Sequence, residues 1–260
     1  MSEHYLEVTI DEHVRTVAAL LAASNWPSME QGITPHAVHP HSKQTMHYME
    51  AYKSHAAITG LNTALSAGGT LEDLFETAVC HSKLHEESTV VDFVAHTNLT
   101  AFWAEHAAAW DVAIADLKAI FDDKPILDSI TALTGVEITK PVRLVPTIVY
   151  PMLTPVVVEN TERIFIILPP AKAWGESPPW PFADDPGWVM AQVAFYLSQH
   201  LLRDNLADDD ETEALVRLHA IVVLCLEKEM NDAEAMAYLV RTKKEQKLPQ
   251  LMAAVEEARG

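Results

Sequence analysis

The sequence predicts an α+β fold: mainly helical, with a small antiparallel or mixed sheet flanked by helices. Three observations predict it. Apolar residues recur at helical spacing through most of the first 134 positions. β-Branched runs then follow one another, at Val142–Tyr150, Val156–Glu159 and Glu162–Leu168. Helical spacing returns from Trp188 to the end. Strands that follow one another without helical crossovers imply antiparallel or mixed pairing. The parts divide as 1–140, helical, and 141–260, strands followed by helices, in one compact unit.

Asp11 is placed to cap a first helix carrying Val14, Val17, Leu20 and Leu21. A Pro/Gly/Ser-rich loop, SNWPSMEQGITPHAVHPHS, separates it from a helix that starts near Ser42. Met46, Met49 and Tyr52 share one side of that helix, Ala57, Leu61 and Leu65 continue it, and Gly68-Gly69 ends it. Thr70 with Asp73 three residues on is close to a capping box for the next helix. A long helical stretch follows Glu87 and reaches about Phe121, and a short one covers Pro125–Thr134. ERIFIIL is the clearest strand of the chain. After it come a loop rich in Pro and Trp, a strong helix from Trp188 to about Arg203 with Pro186 near its start, and an acidic link, DNLADDDE. Helices over Thr212–Glu229, Ala233–Thr242 and Leu248–Arg259 complete the chain, the middle one capped by Asn231 or Asp232.

Thirty-seven acids against 18 Lys and Arg leave a formal charge of −19. Such a field repels phosphate backbones and anionic lipid surfaces, so nucleic acid and membrane are not expected partners. The longest apolar runs are too short to cross a bilayer, and MSEHYLEVTIDEHVR lacks the apolar core of a signal peptide. The two cysteines, Cys80 and Cys225, sit in apolar helical contexts without CxxC spacing. They are expected to be buried thiols in a reducing, cytoplasmic setting.

Three segments together carry a family resemblance. They are TMHYMEAYKSHAAITGLNTAL, the strand ERIFIILPP with its long following loop, and the helix WVMAQVAFYLSQHLL. A further helix, ALVRLHAIVVLCLEKEM, follows. The layout resembles the zincin-like, gluzincin-type proteins, in particular an uncharacterised bacterial family of zinc peptidases. The resemblance implies an active-site helix at Trp188–Arg203 and a third ligand from the next helix. A zincin carries His-Glu-x-x-His on one helix, two imidazoles on one face for the metal and a glutamate as base. Here those positions read Ala191, Gln192 and Phe195, and the downstream ligand falls near His219. HExxH occurs nowhere in the chain. The resemblance therefore implies a degenerate metallopeptidase-like scaffold, a pseudoenzyme without catalytic residues.

Other residues carry chemistry of their own. The chain has 13 histidines. His36, His39 and His41 cluster in HAVHPH, and His81 and His85 lie four apart in HSKLHEE, the spacing that shares a helix face. The pattern favours a solvated or helix-capping histidine loop for the first set and an exposed polar stripe near a helix end for the second. Trp174, Trp180, Phe182 and Trp188 are interleaved with prolines, either as an exposed contact surface or folded back over the core. Gln192, Tyr196 and Gln199, with His200 adjacent, make a polar stripe opposite Val189, Val193 and Leu197. There is no GxSxG, GxGxxG or GxxxxGK[ST].

Three functions follow. One is a zincin-like protein without its zinc, binding a peptide, protein or small ligand in a residual cleft and needing no cofactor. Another is a hydrolase with zinc on the histidines. The third is a structural or assembly protein, a homo-oligomer in contact through the Trp/Pro loop.

Overall fold

Asp11 joins the first strand to the first helix. Its carboxylate accepts the backbone N–H groups of His13 (3.0 Å) and Val14 (3.1 Å), capping α1 (Glu12–Ala23). Strand β1 (Leu6–Val8) lies just before it. The first half is thus not wholly helical: β1 is too short to show an alternation and exists by pairing with a strand far along the chain. The computed structural model describes residues 6–26, 38–80, 88–149, 154–171, 179, 181–207, 210–242 and 248–259.

The helix expected from Ser42 to Leu65 is two helices. α2 (Pro40–Met49) runs into a 3₁₀ turn at Glu50–Tyr52, and α3 (Ala56–Ser66) starts afresh. His55 makes the break: its backbone is extended, and its Nδ1 accepts the Ala57 N–H (3.2 Å), doing the work of a cap. α4 (Leu71–Val79) opens with the full reciprocal capping box of Thr70 and Asp73. The stretch up to Phe121 is divided in three, α5 (Ser88–Thr97), α6 (Leu99–Glu105) and α7 (Ala107–Phe121). Asn98, at φ 49°, turns the chain between the first two. α8 (Ile126–Thr134) stops at Gly135, whose φ of 70° is the left-handed cap glycine supplies at little cost.

Strands β2 (Val142–Pro146), β3 (Val156–Glu159) and β4 (Ile164–Leu168) complete a four-stranded sheet of order β1-β2-β4-β3. β1, β2 and β4 run parallel, and β3 pairs antiparallel with β4 on the edge. The fold is therefore α+β, mainly helical, with a mixed sheet. Every residue of β4 is buried, which is why it reads as an unbroken apolar run.

The helices after the sheet are α9 (Pro186–Leu201), α10 (Arg203–Leu206), α11 (Glu211–Glu229), α12 (Asp232–Thr242) and α13 (Leu248–Arg259). Asn231 caps α12 through the Glu234 N–H (3.0 Å). α11 is the hub, with α8, α9, α12 and α13 all packed on it, while α9 also lies against β3 and β4. One hydrophobic core runs from Val14 in α1 through the sheet to Val255 in α13. Among the described residues no helix is long and apolar enough to cross a membrane. Of the two thiols expected to be buried, Cys225 is, and burial with nearby Glu229 pushes it up to about 12; Cys80 is only half-buried.

Candidate functional site

α9 presents different chemistry on different faces because its residues split between core and polar edge. Val189, Val193 and Leu197 are buried, and so is Ala191. Phe195, four residues on from Ala191, is half-buried with its ring 5.3 Å from that of His219 on α11. His219 is 3% exposed, and its Nδ1 is hydrogen-bonded to the Tyr238 hydroxyl at 2.6 Å. Burial holds the imidazole neutral, pushing its pKa down to about 4. Tyr238 in turn lies against Trp188 (5.9 Å), which the Arg241 guanidinium covers at 4.1 Å. Arg241 is held by an ion pair with Asp185, the residue that caps α9.

This face is where the resemblance implies a metal, and its residues do not fit one. A methyl group, an amide and a phenyl ring stand at Ala191, Gln192 and Phe195, and the one imidazole at hand, His219, has Nδ1 committed to a phenol. Among the described residues no group of three or more His, Cys, Asp or Glu side chains is arranged to hold a metal ion.

The polar edge of the same helix opens elsewhere. Tyr196, Gln199 and His200 line a cavity of about 470 Å³ between α9, the edge strand β3 and the start of α11. Val157, Leu215 and Leu218 give it an apolar floor, and Glu72, Arg203 and Glu211 bring charge to its walls. His200 sits deep in the wall. Its Nε2 is 3.6 Å from Oε2 of Glu159, and its Nδ1 is buried without a hydrogen-bond partner. Burial lowers its pKa, opposed by Glu159 and reinforced by the positive charges of Arg203 and Lys140.

The remaining sequence candidates are spread over other parts of the fold. His39 is the N-cap of α2, its Nδ1 accepting the His41 N–H (3.1 Å). His41 is 2% exposed; its Nε2 accepts the indole N–H of Trp110 (3.1 Å), and its Nδ1 lies 3.3 Å from Oε1 of Gln44. Its ring stacks on Phe102 and lies 4.9 Å from that of His106. Both ring nitrogens are thus committed to protein partners. Burial pushes both His39 and His41 down to about 4; for His41 the Gln44 contact opposes this, and His106, His39 and Arg15 add to it. His36, His81 and His85 lie outside the described residues, as do Trp174 and Trp180. Phe182 is a core residue rather than part of a cleft: it is 2% exposed, in a 3₁₀ turn at Phe182–Asp184 whose Ala183 N–H donates to Asp116 (3.2 Å). Trp188 is half-buried under Arg241 and does not line the cavity.

Of the polar stripe, Tyr196, Gln199 and His200 line the cavity and Gln192 does not; the charged residues Glu72, Arg203 and Glu211 were not singled out from the sequence. Glu72 comes from a helix more than 100 residues upstream, and no local pattern points to it. No protein-family model matches this chain, and no curated protein or solved structure matches it either.

Proposed function

We propose that this chain is a non-hydrolytic ligand-binding protein on a zincin-like frame, taking a small ligand in the cavity between α9, β3 and α11. One observation carries the reading. α9 turns the face that would bear metal ligands onto His219 and Tyr238, where it is filled by Phe195, while the adjacent polar edge of Tyr196, Gln199 and His200 borders open space. Two further features support it. A helix follows the sheet and packs on the next helix, the order the resemblance implies. The cavity volume lies within the range of small-molecule sites, with an apolar floor and a few polar groups above it.

The test is a fragment screen by ligand-observed NMR on the purified chain, repeated on Gln199→Ala and Leu218→Trp. Binding that survives in wild type and is lost when Leu218→Trp fills the floor supports the reading. Fragments that bind wild type and Leu218→Trp equally would place the site elsewhere. Stoichiometric zinc on α9, with peptide hydrolysis that depends on His219, would overturn it.

A further inference from the structure

Three charged side chains line this cavity without a hydrogen-bond or ion-pair partner among the described residues. Glu72 comes from the first turn of α4, Arg203 from the start of α10 and Glu211 from the first turn of α11. Among the described residues none of the three makes a side-chain hydrogen bond or an ion pair, whereas Lys140, Arg143, Arg163 and Arg241 each pair with an acid. Arg203 is the one basic side chain among the residues that line this cavity, apart from the imidazole of His200. The charges are also of both signs, so neither a simple anion nor a simple cation satisfies them all. Between them lie Val157, Leu206, Leu215 and Leu218.

From this arrangement we infer that the ligand is a small zwitterion with an apolar body, of the kind of a free amino acid with a branched aliphatic side chain. The inference rests on the cavity's being the binding site, as proposed above. Arg203 takes the carboxylate, because its planar guanidinium matches two carboxylate oxygens at once. Glu72 and Glu211 take the ammonium, and the leucine and valine side chains take the aliphatic part. A cavity of about 470 Å³ has room for one such molecule, whose two charged groups share one carbon and whose side chain extends away from them. Pairing both charges of the ligand at once also offsets the cost of desolvating either.

Calorimetric titration of the full chain with leucine, N-acetylleucine and leucinamide tests the inference. Leucine is expected to bind, and each blocked form to bind at least tenfold more weakly. Arg203→Gln is expected to bind leucine and leucinamide equally. The double variant Glu72→Gln/Glu211→Gln is expected to bind leucine and N-acetylleucine equally. All three side chains are exposed and lack partners among the described residues, so the variants should keep the wild-type melting temperature, checked by circular dichroism. If the blocked forms bind wild type as well as leucine does, the zwitterion assignment falls while the cavity stands as a site. If none of the three binds at millimolar concentration while screened fragments still occupy the cavity, the assignment falls likewise. If fragments fail as well, the underlying reading falls with it.

Discussion

The indole N–H of Trp110 donates to Nε2 of His41 at 3.1 Å, joining α7 to α2 across 69 residues of chain. Both side chains are buried, and Arg15 from α1 lies over the Trp110 ring at 5.2 Å. The accepting nitrogen must be unprotonated, so this bond and a charged His41 exclude each other.

Trp110→Phe removes that donor and leaves a buried acceptor and a void. The expected loss is about 2–4 kcal/mol of unfolding free energy, measured by urea denaturation. Combining it with His41→Leu should cost less than the sum of the two single changes, because the second deletion removes the orphaned acceptor.

The elements legible in the sequence are those whose signals are local. Thr70 and Asp73 sit three apart and form their capping box within one helical turn. The run IFIIL reads as strand because burial on both faces demands apolar residues throughout. Tyr196, Gln199 and His200 read as one polar edge because α9 alone brings them together. What was illegible depends on distant partners. Leu6–Val8 is a strand only because β2 lies beside it, and the Arg143–Glu7 contact at 3.0 Å spans 136 residues. His55 divides a helix by capping with its ring, a role more common for Ser, Thr, Asp and Asn. The charged walls of the cavity come from three separate helices, so no spacing rule gathers them.

Acid should destabilise the fold through His39, His41 and His219. Each titrates at about 4 in the folded state, against 6.5 for a solvated imidazole. Between these values the unfolded chain holds the more protons. Stability from this source is therefore fully present above about pH 6.5, falls as the pH drops, and is fully lost below about pH 4. Two measurements check it. Denaturant midpoints should decline from pH 7 to 4.5, and NMR of labelled histidine should show these three rings neutral at pH 6.

Ser129 on α8 donates its hydroxyl to Oε1 of Glu229 at the end of α11, and Lys124 donates to the Glu229 carbonyl (2.6 Å). Glu229 is 9% exposed, so its carboxylate depends on protein donors. Ser129→Ala leaves that oxygen unsatisfied at nearly constant volume. The expected cost is about 1–3 kcal/mol, read from urea denaturation at pH 7.

Grafting the missing motif onto α9 tests the placement of its faces. The variant Ala191→His/Gln192→Glu/Phe195→His restores His-Glu-x-x-His in the register the resemblance implies. Ala191 is wholly buried, so an imidazole there must displace core neighbours. The Phe195 ring would also leave its contact with His219. Overpacking and the lost ring contact together should destabilise the fold by about 2–4 kcal/mol. His219 keeps its Nδ1 on Tyr238, so the graft should bind no stoichiometric zinc by elemental analysis. The single change Gln192→Glu, at a half-buried position, should leave the melting temperature close to wild type and separates a local charge effect from overpacking. A graft that binds one zinc per chain with unchanged stability would mean that this face of α9 is open rather than filled, and the division between the packed face and the cavity edge would be lost.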